Sequence, residues 1–214
     1  MLTLKYDIFK IEIENDPIYK IGSADNSFIY DFVYTDKEPL TYQSSNHGIK
    51  VYKDNIIYKS AIVCAVAGAT GIHDNSGVIE NGDLYICCAD KVFSLKIPTL
   101  SLNWMIQVDQ ATCFGIYKAD NEFFTHGELE VSRLDRNGNI VWETGLRDII
   151  VNIERDEDCF ILHDNFIELM DFNSNKYKLG FDGKFIDETA SETSKRNELN
   201  IKQSRGKPWW KIWN

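Results

Sequence analysis

VFSLKIPTLSLNW, from Val92 to Trp104, and VSRLDRNGNIVW, from Val131 to Trp142, decide the fold of this 214-residue chain. Each is an apolar strand, a turn, and a second strand that carries a Trp. Successive side chains of a strand face opposite sides, so such a segment offers one face to a core and one to a neighbour or to water. A fainter third copy, IELMDFNSNKY, ends on Tyr177. Trp142 follows Trp104 by 38 residues and Tyr177 follows Trp142 by 35. Leu95, Leu134 and Leu169 stand before the turns, the last two eight residues ahead of their aromatics and the first nine. A period of this size, with about four strands per unit, lies near the propeller-blade period of about 40 residues. A single blade cannot bury its own faces, so stacked neighbours have to supply the core.

The chain on either side reads the same way. Residues 2–13 alternate as a strand whose phase slips at Ile8–Phe9, which predicts a bulge or a bend there. Phe28–Tyr34 is strand-like, Asp36–Pro39 is a turn, and Leu40–Gln43 is a short strand. Lys53-Asp54-Asn55 joins Ile49–Tyr52 to Ile56–Tyr58 as a tight hairpin. Ser60–Gly68 is continuously apolar and small, as in a strand covered on both faces. Asn81-Gly82-Asp83, Asp120-Asn121, Asn137-Gly138, Asn173–Asn175 and Asp182-Gly183 are turns, because Asn and Gly accept positive φ. Glu122–Leu134 reads as one strand. No stretch before residue 187 has a 3.6-residue period. The expectation is an all-β, antiparallel meander of blade-like repeats over residues 1–187, with a polar tether and a basic, Trp-rich tail over 188–214.

DKVFSLKIPTLSLNW and SRLDRNGNIVW resemble the blade-closing pattern of quinoprotein-type (PQQ-like) β-propellers, and the resemblance spans about Ala89–Leu179. It implies a blade-like scaffold and no quinoprotein chemistry. Those propellers have about seven or eight blades, and a chain of this length holds roughly four or five. A small closed propeller, an open arc of blades and a stacked sandwich are all compatible with the pattern.

Composition bounds the function. A net charge of −10 argues against a nucleic-acid-binding body. Lys195–Asn214 nevertheless carries six basic side chains and one acidic one, leaving −15 on the remainder. No run of about 18 apolar residues is present, so no transmembrane segment is expected. The first residues lack a basic region followed by an apolar block, so no export signal is expected either. Five cysteines without framework spacing read as reduced, buried thiols of a cytoplasmic protein.

Four constellations are candidates for chemistry. Gly68–Gly77 (GATGIHDNSG) is the loop densest in glycine and polar groups. Thr70, Gly71, His73 and Asp74 are its candidate ligand-binding residues, and a plain connection between blades is the alternative. His126 and Glu128, two apart on one strand with Glu130 continuing the row, could form an acid/base pair or simply a wet face. Cys113 with His73 or His126 could act as a nucleophile, although no spacing supports it. Cys64, Cys87, Cys88, Cys113 and the two histidines lack metal-ligand spacing, and Asp135–Asn139 departs from a calcium loop, so neither metal nor cofactor is expected. The tail KPWWKIW presents Trp209, Trp210 and Trp213 beside Lys207 and Lys211. It would dock on its own acidic body, a partner's groove, a membrane surface or a second copy, making self-association possible.

These readings favour a non-enzymatic module binding another protein or a small ligand, immunity-type binding of a basic protein being one form. An enzyme built from the Gly68–Gly77 loop with His126 and Glu128 is the alternative. An assembly role through the Trp tail is a third.

Overall fold

The computed structural model describes residues 1–35, 43–120, 122–152 and 158–191. The Asp36–Pro39 turn, nearly all of the expected Leu40–Gln43 strand, Asn121, and the tail with Trp209, Trp210 and Trp213 lie outside the described residues. Seventeen strands and no helix occur among the described residues, so the protein is all-β. The chain forms two compact units, Met1–Gly145 and Leu146–Asn214.

The first unit opens with a five-stranded sheet made of β1 (Leu2–Tyr6), β2 (Phe9–Asn15), β3 (Phe32–Thr35), β4 (Ser45–Lys53) and β5 (Ile56–Ala65). Its order is β1-β2-β4-β5-β3, with β3 running parallel to β5 and the other pairs antiparallel. The phase slip at Ile8–Phe9 is a full hairpin turn. Asp7 takes φ 53 and Tyr6 faces Phe9 across it, so the expected single strand is two. Asp54 and Asn55, at φ 52 and 62, make the predicted hairpin between β4 and β5. Ser60–Ala65 is buried on both faces. Ala61, Val63 and Ala65 face one core, while Ile62 and Cys64 face a second formed with Tyr19 and Tyr30. Only Phe32–Thr35 of the aromatic run Phe28–Tyr34 joins the sheet. Phe28 and Tyr30 stack edge-on as part of that second core.

Two four-stranded meanders follow. β6 (Gly77–Glu80), β7 (Asp83–Cys88), β8 (Lys91–Lys96) and β9 (Leu102–Gln107) form one. β10 (Cys113–Ala119), β11 (Glu122–Gly127), β12 (Glu130–Leu134) and β13 (Ile140–Gly145) form the other. β7 is the hinge of the packing, because its side chains alternate between two cores. Leu84, Ile86 and Cys88 pack with Ile11, Ile13, Ile49 and Val63 of the first sheet. Tyr85 and Cys87 pack with Cys113, Ile116, Phe123 and Leu134 of the third. Tyr85 and Phe123 rings lie 4.2 Å apart, a pairing that adds about 1 kcal/mol beyond area burial. Stacking of the first three sheets thus buries both faces of β7, as the repeat requires.

Glu122–Leu134 is not one strand. The chain reverses at Glu128-Leu129, so β11 and β12 are antiparallel neighbours with His126 opposite Val131. This turn carries no Asn-Gly signal, and a distant carboxylate holds it, as described below.

The second unit contains one meander, β14 (Phe160–Leu162), β15 (Phe166–Met170), β16 (Lys176–Gly180) and β17 (Phe185–Thr189). β17 extends two residues into the stretch expected to be a tether. Phe160, Ile167, Leu169, Met170, Tyr177 and Leu179 are buried in it.

The register sharpens the repeat. Ser94/Leu95, Arg133/Leu134 and Lys178/Leu179 each mark a shift between the third and fourth strands of a meander. Leu179, not Leu169, is therefore the third equivalent of Leu95 and Leu134, and all three are fully buried. Asp187 stands where the Trp would be, since Lys178 pairs with Asp187 as Ser94 pairs with Trp104 and Arg133 with Trp142. The D-x-N-x-N turn at Asp171, which imitates the one at Asp135, joins the second and third strands instead.

Candidate functional site

Asp109 organises the part of the first unit richest in polar chemistry. It lies in the connection from β9 to β10 and is 2% exposed. Its Oδ1 accepts hydrogen bonds from the backbone N–H groups of Ala111 (2.6 Å) and Thr112 (3.0 Å). Its Oδ2 accepts from Leu129 (2.8 Å) and Glu130 (3.0 Å), in the turn between β11 and β12. Four N–H donors satisfy both oxygens of this buried side chain. Gly127 makes the insertion possible: a Cβ there would stand 2.2 Å from Asp109 Oδ2. Ser132 Oγ donates to the Val108 carbonyl (3.1 Å), tying the same connection to β12.

Above this frame lies a cleft of about 500 Å³ lined by Gln107, Asp109, Gln110, Glu130 and Glu143. Three carboxylates and two carboxamides form its wall, and among the described residues no cation lines it. Gln107 Nε2 donates to the Asp109 carbonyl (3.1 Å). Ser132 pairs with Glu143 across β12 and β13, which puts Glu130 and Glu143 close on adjacent strands. Burial raises the Glu130 carboxyl above the usual carboxylate range, and the charges of Glu143 and Asp109 push it the same way.

The loop Gly68–Gly77 reaches the same frame from the other side. Gly68 N–H donates to the Ala111 carbonyl (2.9 Å). Thr112 Oγ1 donates to Glu128 Oε2 (2.8 Å), and Glu128 N–H donates to the Thr112 carbonyl (2.7 Å). Thr70 acts as a clip: its N–H donates to Ser45 Oγ (2.8 Å), and its Oγ1 accepts from Ala89 N–H (3.0 Å) and meets His47 Nε2 (3.0 Å). Burial holds the His47 imidazole down at about 4, with the charge of His73 adding to it.

His73 closes the loop. Its Nε2 donates to the Phe114 carbonyl (2.7 Å), which fixes the tautomer, and its Nδ1 accepts from Asn75 N–H (3.3 Å). Ser76 Oγ accepts from His73 N–H (2.9 Å) and donates to the Gly71 carbonyl (3.3 Å). Asp74 is exposed at the tip. The Phe114 ring meets His126 edge-on at 5.3 Å, so one residue lies between the two histidines. His126 and Glu128 do not form the expected row, because the strand ends at Gly127 and Glu128 belongs to the turn. Cys113 is buried, with its Sγ 3.1 Å from that of Cys87. Cys88, next in sequence to Cys87, points to the opposite face toward the carbonyls of Ser45 and Val63.

Of the cleft-lining residues the sequence points only to Glu130, as the continuation of the His126 row; Gln107, Asp109, Gln110 and Glu143 are not among its candidates, and the Gly68–Gly77 loop, His126 and Glu128 do not line the cleft. The one local signal was Asp109 followed by Gln110-Ala111-Thr112, a side chain that can cap the N–H groups two and three residues on. Among the described residues no group of three or more His, Cys, Asp or Glu is arranged to hold a metal ion. Nor is any helix among them long and apolar enough to cross a membrane.

No family model matches the chain, and no curated protein matches it. Among solved structures it is similar to BamB from Moraxella catarrhalis, at 14% identity over 67% of this chain and 43% of that one, with a TM-score of 0.48. It is also similar to the Pan2 WD40 domain of Neurospora crassa, at 11% identity over 55% and 38%, TM-score 0.44. A third is the computationally designed Ika8 protein, at 10% identity over 90% and 62%, TM-score 0.49. The chain spans less than two thirds of the length of each. BamB and the WD40 domain are β-propeller proteins.

Proposed function

We propose that this chain is a non-enzymatic binding module whose acidic cleft receives a cationic group of a protein partner. The observation that carries the proposal is the lining of the cleft: Asp109, Glu130 and Glu143 with Gln107 and Gln110, and no cation among them. A net charge of −10 steers a basic partner toward such a surface, and the Glu130 carboxyl, raised first by burial and then by the charges of Glu143 and Asp109, is stabilised in its ionised form by an incoming Arg or Lys. Arg fits best, because its planar fork pairs with a carboxylate in two-point geometry. Immunity-type inhibition of a basic protein is one form of this activity. In this reading Thr70, His73 and Glu128 hold the frame in place and do not react, since their hydrogen bonds run to neighbouring loops and strands.

The test is a nuclear magnetic resonance titration with a hexa-arginine peptide at about 25 and about 300 mM salt. The expected result is saturable shifts at Gln110, Glu130 and Glu143 at low salt, weakened at least tenfold at high salt. Glu130→Gln with Glu143→Gln should abolish them while leaving the fold intact. Shifts scattered over the whole acidic surface, unaffected by the double substitution, would overturn the proposal.

A further inference from the structure

We propose that Cys87 and Cys113 form a disulfide under peroxide, a covalent tie between the two four-stranded sheets of the first unit. Cys87 lies in β7 and Cys113 opens β10, on opposite sides of one core. Their sulfurs are 3.1 Å apart, and both thiols are free in the structure. A disulfide bond is about 2.05 Å long, so closure asks for an approach of about 1 Å. Two backbone bonds already fix the sulfurs' carriers: Cys113 N–H donates to the Ala89 carbonyl (2.7 Å) and Cys87 N–H to the Ser76 carbonyl (2.9 Å). These bonds hold the two sulfurs' carriers side by side before any covalent step. The adjacent Cys88 is excluded from the pair, because alternation along β7 sends it to the other core.

The chemistry balances with hydrogen peroxide as oxidant. One thiolate attacks a peroxide oxygen, the O–O bond breaks, and hydroxide leaves to take up the thiol's proton as water. The resulting sulfenic acid is attacked by the second sulfur; the S–O bond breaks, and its oxygen departs with the second thiol's proton as a further water. Two thiols and one peroxide give one disulfide and two waters. Peroxide is small enough to enter a core during local opening, whereas a bulky disulfide oxidant has to form a mixed disulfide with a buried sulfur. Burial pushes the Cys87 thiol well up, so the thiolate is scarce and oxidation is slow compared with an exposed cysteine.

The product has a mechanical consequence. Cys113 follows Ala111 and Thr112, two of the four donors to Asp109, so the tie anchors the frame of the cleft to the neighbouring sheet. Oxidation should raise the thermal midpoint by about 5 °C, because the cross-link restricts the unfolded chain.

The experiment treats the full-length folded chain with hydrogen peroxide, removes the oxidant, alkylates in denaturant and maps peptides without reduction. The expected product has lost two hydrogens, keeps three alkylatable cysteines, and yields one linked peptide pair containing Cys87 and Cys113. Dithiothreitol restores five alkylations and the original midpoint. The same treatment of Cys113→Ser should give no cross-linked peptide. Because wild-type mapping stands alone, the result survives even if that variant folds poorly. Five alkylatable thiols after treatment, a cross-link through another cysteine, sulfinic acid in place of the disulfide, or a cross-linked fraction that grows with protein concentration would each overturn it.

Discussion

Asp109 shows how much one side chain can specify. Its two oxygens satisfy four N–H groups drawn from two loops about 20 residues apart in sequence, and it is also a wall of the cleft. Replacement by Ala removes the shared acceptor of four N–H groups, one of them in a buried bond, at a cost of about 2 kcal/mol in urea denaturation. Asp109→Asn keeps the shape but turns an amide donor against two N–H groups, so it should fall between Ala and wild type. Stability equal to wild type in both would mean that water replaces the carboxylate freely. His47 provides a pH signature. Its folded value of about 4 is below an unfolded value near 6.5, because the charged form is disfavoured by burial. The unfolded chain therefore binds more protons between those limits. This contribution is fully retained above about pH 6.5 and is lost as pH falls toward 4. Between pH 7.5 and 5.5 the loss from this residue is about 1 kcal/mol. His47→Gln should flatten that part of the curve, and equal slopes for the two proteins would remove His47 as the cause.

At the scale of elements, the turns divide by what sequence could say about them. Asn81-Gly82, Asp54-Asn55 and Asn137-Gly138 were legible because their residues accept positive φ, and the structure shows φ of 52 and 82, 52 and 62, and at Gly138 80. The reversals at Asp7-Ile8 and Glu128-Leu129 were not. The first lacks a glycine, and the second is held by Asp109, whose effect no local window contains. The third repeat copy was misplaced for a related reason: Asp171-Phe-Asn173-Ser-Asn175 reproduces the Asp135 turn on a different hairpin. Those two turns are chemically alike and energetically different. Asp135 accepts from Asn137 N–H, Asn139 N–H and Asn139 Nδ2 at the surface. Asp171 is 1% exposed and accepts from Asn173, Asn175 and the Tyr177 hydroxyl (2.6 Å). Asp135→Ala should cost about 1 kcal/mol, because water takes over its donors, and Asp171→Ala about 3 kcal/mol, because it leaves Tyr177 O–H and two N–H groups buried. Denaturation followed by circular dichroism separates them, and equal losses would show that burial is not what distinguishes the two. Gly138 marks a further link: the Trp104 ring lies where its Cβ would be, at 2.6 Å, and Trp104 Nε1 donates to the Arg136 carbonyl (3.1 Å). The repeated Trp at the end of one sheet therefore seats on the Asn-Gly turn of the next.

For the molecule as a whole, stacking and charge work against one another at the cleft. The all-β, blade-like architecture was legible because alternation and turns recur along the chain, whereas the cleft joins Gln107 in β9 to Glu143 in β13 across four connections and has no local pattern. Its acidic lining weakens the fold that carries it. The Glu130 carboxyl is raised by burial and then by Glu143 and Asp109, so its ionised form is disfavoured in the native state. That contribution to stability is present below the unfolded carboxylate range and is lost as pH rises through the native value. Glu130→Gln should therefore stabilise the free protein near pH 7, by up to about 0.5 kcal/mol. The same substitution should weaken hexa-arginine binding, since a bound cation stabilises the ionised carboxylate. Binding of the cation to wild type should accordingly expel protons from Glu130, and affinity should rise with pH as its raised carboxyl ionises. Calorimetric titrations in buffers of different ionisation enthalpy measure that proton release directly. A Glu130→Gln variant that releases as many protons as wild type, or that binds as tightly while gaining no stability, would place the cationic contact elsewhere on the acidic surface.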